Sequence, residues 1–319
     1  MRRLVEKTAS WGMDGAMCGM MNVLQWRRRA DSCTRKKLAD YLDAFSPMSR
    51  EEFYRIPQTT CPRQRAGWIE WDTPLPSGFP ENDRARVRFY PAARKGAPVL
   101  LLLHALMSAS DVGYRRVAAT FNKRGWAVAF PHLPYHYSRT PKSTLNGELA
   151  ITADLVRNAE GLRQAVVELR QLMALFRTRG TREFAMIGTS YGGWTGALLS
   201  FLERDFRFMA LVQPIVNVEK AIWENPGASS MRQSLRSLGH ARNQITRHDH
   251  LISPLHGIPL CSPERIIVTA GLYDKVSPLE ELKLLTSRWK GSRLLRVRQG
   301  HFGYRALRET LQEVEPFMG

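Results

Sequence analysis

Cysteine is scarce in this sequence, and the cysteines form no motif. The chain contains four, Cys18, Cys33, Cys61 and Cys261, and no pair has the C-x-x-C spacing of redox or zinc sites. A chain of 319 residues can bury a large apolar core, so it needs no disulfide framework for stability. This cysteine usage is typical of a reducing compartment, and we expect a cytoplasmic location.

Long hydrophobic runs are also missing. A membrane-spanning helix needs about 20 mostly apolar residues in a row, and no stretch of the sequence approaches that length. The nearest candidate, AMCGMMNVLQW at 16–26, is short and is preceded by Glu6 and Asp14. Three arginines follow it, and there is no small-residue cleavage site. We therefore expect neither a transmembrane helix nor a signal peptide.

Acidic residues are few compared with basic ones. The chain has 29 Asp and Glu against 47 Lys and Arg, a net charge of +18. Residues 1–66 hold 13 basic and 7 acidic residues (+6), so the other +12 is spread over the rest of the chain. Such a spread argues against a nucleic-acid-binding tail, and we expect no nucleic-acid partner. A solvated basic surface explains the charge most simply, while attraction to an anionic membrane or an acidic substrate stays open.

The order of apolar patterns along the chain predicts an α/β fold. Residues 1–66 are expected to form a helical N-terminal extension, because the apolar residues of TRKKLADYLDAF recur at helical spacing. Apolar runs of strand length, such as PVLLLLH at 98–104, then alternate with amphipathic segments. This alternation favours a mostly parallel sheet flanked by helices. Residues 67–319 are expected to form one catalytic domain, with a helical cap insertion at about 217–260.

The octapeptide IGTSYGGW at 187–194 places a serine between a predicted strand and a predicted helix. A nucleophile on such a sharp strand-to-helix turn needs small residues two positions to either side, which here are Gly188 and Gly192. The helix that follows directs the partial positive charge of its N-terminus at the same point. The pattern predicts that Ser190 is a nucleophile held on an elbow.

A serine hydroxyl is a poor nucleophile until a base accepts its proton. His301 follows the predicted strand RLLRVRQ, and Asp274 follows the predicted strand RIIVTAG. Both therefore lie on loops at the carboxyl edge of the sheet, as Ser190 does. We expect His301 to act as the base and Asp274 to orient it, with Glu280 as the alternative acid.

The negative charge that develops on an attacked carbonyl oxygen needs fixed N–H donors. One predicted donor is the backbone N–H of Tyr191, directly after the nucleophile. The other is expected in the loop ALMSAS that follows the strand at 98–104. There we expect the N–H of Leu106 to donate, with Met107 as the alternative.

Several residues after the carboxyl ends of strands are candidate pocket residues: His104, Met107, His132, Tyr135 and His136. For His132 and His136 a structural role is the alternative, and for Tyr135 the alternative is core packing. His104 is expected to bond within its own loop. His132 and His136 are unsuited to a shared metal ion, because Pro131 and Pro134 argue against the helix that would present them together. A zinc site at the four histidines of the cap segment would need cysteine or carboxylate ligands and a closed second shell, and we do not expect one. We therefore expect no metal and no cofactor.

Together these residues resemble the α/β-hydrolase superfamily, in its serine-hydrolase branch, over residues 84–319. The resemblance rests on the elbow GTSYGG, the acid loop AGLYDKVSP, the histidine loop GHFGY and the oxyanion loop LLLHALMS. One departure is His104-Ala105, where the superfamily usually has His-Gly. LPYHYSRTP and CSPERIIVTAGLYD are also similar to the abhydrolase-domain-containing-eighteen subgroup, which implies a lipid or another carboxylic ester as substrate.

The resemblance implies ester hydrolysis through an acyl-enzyme, on a small-molecule or lipid ester. An acyltransferase, an amidase or peptidase, and a non-catalytic binding protein with this fold stay open. In the cap, SSMRQSLRSLGHAR predicts a helix with Met231, Leu235 and Leu238 beside Arg232 and Arg236. That helix either packs over the site or contacts an anionic membrane. The sequence does not fix the oligomeric state.

Overall fold

A computed structural model of the protein describes residues 2–57 and 62–319. Its strands are β1 (Arg63–Arg65), β2 (Trp68–Asp72), β3 (Arg84–Tyr90), β4 (Val99–Leu103), β5 (Ala127–His132), β6 (Phe184–Thr189), β7 (Phe206–Val212), β8 (Ile266–Gly271) and β9 (Arg293–Val297). Its α-helices are α1 (Arg2–Arg27), α2 (Arg35–Phe45), α3 (Arg50–Phe53), α4 (Val112–Lys123), α5 (Leu155–Thr178), α6 (Tyr191–Leu199), α7 (Val218–Trp223), α8 (Ser229–Ser237), α9 (Arg242–Ile245), α10 (Asp249–Ile252), α11 (Leu279–Arg288) and α12 (Arg305–Val314).

The strands form one sheet in the order β1-β2-β3-β5-β4-β6-β7-β8-β9. The pairs from β5 to β9 are parallel, as predicted, because helices connect these strands. The pairs from β1 to β5 are antiparallel. The hairpin of β1 and β2 was not predicted, since its strands are short and β1 is exposed. Its turn, Ala66-Gly67, has positive φ at both residues, which suits a two-residue hairpin loop.

Helices cover both faces of the sheet. Along β4, Leu100 and Leu102 pack in a core with α4 and α12. Leu101 and Leu103 belong to the core on the other face, which includes α5, α6 and α2. Successive strand residues point to opposite faces, so a strand buried on both sides reads as the continuous apolar run seen in the sequence.

Two helical parts lie outside this sandwich. The cap segment holds α7 to α10 with short 3₁₀ turns between them, and no strand is present among its described residues. Helix α1 packs against α8 and against the 3₁₀ turn Pro226–Ala228 of the cap. The division into an extension of residues 1–66 and a domain of residues 67–319 stays a prediction. Strand β1, which the division assigns to the extension, pairs with β2 in the sheet.

No helix in the part of the chain that the structure describes is long and apolar enough to cross a membrane. The three cysteines it describes, Cys18, Cys33 and Cys261, are buried and carry free thiols. Cys61 lies outside the described residues.

Candidate active site

The turn between β6 and α6 holds Ser190 in a backbone conformation that L-residues rarely adopt, with φ 50° and ψ −109°. Its N–H donates to the carbonyl oxygen of Val212 in β7, at 2.8 Å. Strain of this kind persists only where the surrounding structure fixes it, and it is common at catalytic positions. The elbow thus raises the Ser190 hydroxyl above the carboxyl edge of the sheet.

The two glycines that flank the serine are required by close backbone contact. A Cβ on Gly188 would lie 2.5 Å from the carbonyl oxygen of Gly192. A Cβ on Gly192 would lie 2.6 Å from backbone atoms of Leu103 and His104. Any side chain here would push the first turn of α6 away from β6 and β4. The spacing that the sequence displayed therefore has a steric origin.

The structure brings Ser190, His301 and Asp274 together. The Oγ of Ser190 lies 2.8 Å from Nε2 of His301. The Nδ1 of the same ring lies 2.8 Å from Oδ2 of Asp274. This is the relay geometry in which a base takes the serine proton and an acid fixes the ring tautomer. The alternative acid, Glu280, lies on α11 with its side chain 75% exposed and ion-paired to Lys283, so it takes no part.

The Asp274 carboxylate is held by further donors. Its Oδ1 accepts from the N–H groups of Val276 and Ser277, each at 2.8 Å. Its Oδ2 also accepts from Nε2 of Gln213, at 2.6 Å. The same Gln213 amide donates to the carbonyl oxygen of Gly300, the residue before His301. The acid is therefore oriented from three sides, which leaves Oδ2 facing His301.

The electrostatic surroundings of His301 favour its charged form. Burial alone would lower the pKa of this imidazole, but the charge and hydrogen bond of Asp274 and the charge of Asp14 together raise it above the ordinary value. The imidazolium that forms when His301 accepts the serine proton is thereby stabilised. At low pH the same effect keeps His301 protonated and unable to act as a base.

The loop after β4 holds the two residues that are candidates for the second oxyanion donor. In the part of the chain that the structure describes, the N–H groups of Leu106 and Tyr191 donate to no protein acceptor. Met107, the alternative, has φ 53° and donates its N–H to Nε2 of His136 at 3.1 Å. Leu106 is therefore the freer of the two donors. Its role in an oxyanion hole stays a prediction.

Of the five candidate pocket residues, Met107 lines the cavity at Ser190, and the four others lie behind the cavity wall. Both ring nitrogens of His104 bond to backbone groups, of Ala105 and Leu133. His136 likewise bonds Pro134 and Met107, and burial lowers the pKa of His136 to about 4. Both ring nitrogens of each histidine are hydrogen-bonded within the protein. These histidines therefore support the loop after β4 and do not face a substrate.

His132 and Tyr135 complete this buried layer. The Nδ1 of His132 lies 2.8 Å from the Ser138 hydroxyl, and burial lowers the pKa of His132 to about 3. The Tyr135 backbone N–H donates to Asn82, and its ring is 2% exposed. The expectation that these side chains line the pocket is therefore corrected, because the loop at 132–136 turns inward beneath the site.

A cavity of about 1290 Å³ opens at Ser190 and His301, larger than the usual range of ligand pockets. Its lining is mostly apolar and comes from every element around the site. The lining side chains include Met13, Met17, Met20 and Met21 of α1, Leu155, Ala159 and Leu162 of α5, Ile222, Met231 and Ile245 of the cap, and Leu307 and Leu311 of α12. Such a lining fits a long apolar group better than a small polar one.

The cap helix α8 packs over this cavity. Met231 and Leu235 are buried, and Leu238 is 38% exposed. Arg232 donates to the backbone carbonyls of Ile222 and Asn225. The apolar stripe predicted for this helix is thus mostly used inside the cap, which is the simpler of the two alternatives that the sequence left open.

Sequence reasoning missed Gln213 and Asp14. Gln213 stands directly after the buried strand β7, so a polar residue at the carboxyl end of a strand was an available signal. Asp14 lies 287 residues before the histidine whose backbone it bonds, and no local pattern marks it. Among the described residues, no group of three or more His, Cys, Asp or Glu side chains is placed to hold a metal ion.

Comparisons with known proteins find no matching family model and no matching curated protein. Solved structures do match. The acetyl xylan esterase of Paenibacillus sp. R4 gives a TM-score of 0.56 at 13% identity, over 90% of this chain and 97% of that chain. Acetyl xylan esterase 1 of Thermoanaerobacterium sp. JW/SL YS485 gives 0.55 at 16%, over 90% and 94%. The chain has the α/β-hydrolase fold.

A butyrate-bound esterase of Thermogutta terrifontis matches with a TM-score of 0.51 at 17% identity, over 73% of this chain and 88% of that chain. At such low identities the likeness concerns the fold, and the predicted fold class is confirmed. The resemblance to the abhydrolase-domain-containing-eighteen subgroup finds no support in these comparisons.

Proposed function

We propose that the protein is a serine hydrolase of the α/β-hydrolase superfamily that cleaves carboxylic esters with a long apolar acyl chain. One observation carries the proposal: Ser190 Oγ, on a strained elbow, lies 2.8 Å from the Nε2 of a histidine that is itself bonded to Asp274. This arrangement activates a hydroxyl for attack on a carbonyl carbon.

In the first half-reaction, Ser190 Oγ attacks the ester carbonyl carbon while its proton passes to His301 Nε2. The carbonyl π electrons move to the oxygen, where the N–H groups of Tyr191 and Leu106 stabilise the charge. The tetrahedral intermediate then expels the alcohol, which takes the proton from His301. An acyl-enzyme on Ser190 remains.

In the second half-reaction, a water molecule attacks the acyl carbon and gives its proton to His301. Collapse of the new intermediate breaks the bond to Ser190 Oγ, which recovers its proton from His301, and the carboxylic acid leaves. Asp274 stays ionised throughout and stabilises the imidazolium at each step. Neither half-reaction as written uses a cofactor.

The volume and apolar lining of the cavity support an ester with a long acyl chain as the substrate. Burying each methylene of an acyl chain contributes about 0.8 kcal/mol, and methionine side chains adapt to flexible apolar ligands. Four methionines of α1 line the cavity, together with aliphatic side chains of α5 and the cap. The fold neighbours include acetyl xylan esterases, whose acetyl group would leave most of this volume unfilled. We therefore infer a longer acyl chain.

The experiment is labelling with a fluorophosphonate probe, followed by hydrolysis of p-nitrophenyl esters from acetate to palmitate. We expect labelling of the wild type but not of Ser190→Ala, and a drop of roughly 10⁶-fold in kcat for that variant. The preferred ester should be longer than butyrate. A folded wild type that shows no labelling would contradict the proposal and leave a binding protein with this fold.

Two other outcomes would redirect the assignment while keeping Ser190 as the nucleophile. Faster turnover with an added alcohol or thiol than with water would indicate an acyltransferase. Cleavage of matched p-nitroanilides at rates comparable to the esters would indicate an amidase or peptidase. The cytoplasmic location stays an expectation from the cysteine usage.

For the contact with an anionic membrane that the sequence left open, the outer face of α1 is the surface that we propose. Its exposed apolar side chains outside the cavity lining are Leu4, Val5, Trp11, Val23 and Trp26. No charged residue occurs from 15 to 26, while Lys7 and Arg29 stack on the tryptophans at the two ends. A chain of net charge +18 is attracted to anionic lipid but repels a second copy of itself.

This contact is tested by sedimentation with phosphatidylcholine vesicles that do or do not contain phosphatidylserine. We expect binding to the anionic vesicles only, and its loss in Val23→Glu and Trp26→Glu. Ile258→Glu, at an apolar position that is 62% exposed outside α1, is the control that should still bind. Concentration-dependent dimers without vesicle binding would instead make this face a contact between two copies.

A further inference from the structure

Helix α1 reaches the catalytic histidine with one acidic side chain. Both carboxylate oxygens of Asp14 lie 2.9 Å from the backbone nitrogen of His301. Its Oδ1 also lies 3.2 Å from the backbone nitrogen of Phe302. Two consecutive N–H groups of the histidine loop therefore donate to one carboxylate, and these bonds fix the height and direction of the loop.

The Asp14 side chain is buried and, among the described residues, has no Lys or Arg partner. It is 2% exposed, and in the described part of the chain no Lys or Arg forms an ion pair with it. Burial raises the pKa of Asp14, and the charge of Asp274 adds to that rise, while the bonds from His301 and Phe302 oppose it. A buried carboxylate without a cation is costly, so these backbone donors and the charge that His301 gains in turnover are its compensation.

The histidine loop is shaped to receive this carboxylate. A Cβ on Gly300 would lie 2.6 Å from both Asp14 oxygens, so a side chain there would expel the acid. On the other side, the carbonyl oxygen of Gly300 accepts from Gln213. The loop is thus held from two directions, by Asp14 of α1 and by Gln213 of the sheet edge.

Other contacts of α1 hold Asp14 at this point. Asn22 donates to the carbonyl oxygen of Pro226 at 2.9 Å and accepts from the N–H of Ser230 at 3.1 Å. Gln25 donates to the carbonyl oxygen of Gly227 at 3.0 Å. These bonds dock the helix on the cap without touching the histidine loop.

We propose that Asp14 is a positioning residue for His301, which holds the histidine loop through two backbone N–H groups and places a second negative charge beside the imidazole. The inference rests on the proposed hydrolase function. The N-terminal helix is then part of the catalytic apparatus: an undocked α1 leaves the triad residues present but the base less well placed and less easily charged.

Among the described residues, the charged groups that face His301 are two carboxylates. Asp274 comes from the loop after β8 and Asp14 from α1, while the elbow contributes only the Ser190 hydroxyl. The Cys18 thiol, one turn from Asp14, stays neutral because burial and the two carboxylates raise its pKa to about 11. Loss of the Asp14 charge should therefore lower the pKa of His301, so that the base form persists to lower pH.

The experiment compares Asp14→Asn with Asn22→Ala across pH. For Asp14→Asn we expect kcat to fall roughly tenfold to hundredfold, because a misplaced base slows proton transfer. We also expect the acid limb of kcat/KM to move to lower pH. Asn22→Ala removes one attachment of α1 to the cap but keeps Asp14 and its bonds to the histidine loop, so its acid limb should keep the wild-type midpoint. Asp14→Ser, which keeps an acceptor oxygen, replaces Asp14→Asn if that variant does not fold.

A second measurement does not depend on turnover. The imidazole of His301 is titrated by NMR in the Ser190→Ala background, with and without Asp14→Asn. A lower midpoint without Asp14 supports the inference even if no substrate is found. Equal midpoints, or the same acid-limb position in all variants, would reduce Asp14 to a structural contact and overturn it. Failure of the proposed function is read separately, from the absence of Ser190 labelling in the wild type.

Discussion

The carboxyl edge of the sheet and helix α1 both contact His301, but they are built in different ways. At the sheet edge, Ser190, Asp274 and His301 each lie on the loop or turn that follows a strand. Helix α1 reaches the site from the other end of the chain by side-chain bonds to the cap and to the histidine loop. The first region has a local sequence signature, whereas the second depends on docking.

The two regions also differ in what they offer a substrate. The sheet edge supplies the reacting groups, which tolerate little displacement, because reaction depends on atoms about 3 Å apart. Helix α1 supplies methionines to the cavity wall and presents an exposed apolar surface on its other side. We therefore propose that the sheet edge carries the chemistry and that α1 contributes to substrate selection and surface contact.

The largest effect is expected at the sheet edge. Asp274→Asn should lower kcat roughly 10⁴-fold, because an amide favours the wrong tautomer of His301. Glu280→Gln, on the exposed side of α11, is the matched control and should leave kcat unchanged. The kcat of each variant is measured by steady-state kinetics on one ester and compared with that of the wild type. Equal losses in both variants would mean that the sheet-edge geometry does not govern catalysis.

An intermediate effect, on the free energy of unfolding, is expected from the buried histidines that support the loop after β4. His136 is neutral in the folded protein, with its pKa lowered to about 4 from a usual value near 6.5. Its contribution to the free energy of unfolding, on the order of 3 kcal/mol, is present above pH 6.5 and is lost as the pH falls towards 4.

This pH dependence is measured by urea unfolding at pH 7.5 and pH 4.5. The wild type should lose more stability between the two than His136→Gln, which cannot titrate there. His132 and His104 remain in the variant, so part of the loss should persist. An identical loss in both proteins would show that His136 is already protonated or exposed.

The smallest effect is expected in α1. Met17→Trp should fill part of the cavity and lower kcat/KM for long-chain esters about tenfold relative to short ones, since a few lost methylene contacts suffice. Val23→Trp, on the exposed face of the same helix, is the control and should keep the wild-type chain-length profile. If both variants changed the chain-length profile in the same way, the cavity-facing side of α1 would not select the acyl chain.

Much of the sheet edge was predictable from local patterns. Gly188, Ser190 and Gly192 were found because a strand, a tight turn and a helix lie within a few residues of one another. His301 and Asp274 were found because loops after parallel strands meet at one edge. The candidate pocket residues at 132–136 were misplaced, because a loop's position after a strand does not say whether its side chains point outward or beneath the site.

The sequence by itself determined the fold class, the elbow and the choice of Ser190, His301 and Asp274 as candidates. These depend on the period of apolar residues and on steric limits within short segments, which are written in consecutive letters. Only the tertiary structure decided that α1 lies at the active site, that Asp14 bonds the histidine loop, and that α8 turns its apolar stripe inward. Those outcomes depend on contacts between surfaces that are hundreds of residues apart in the chain. Burial and backbone donors at these contacts decide between alternatives that are similar in local stability.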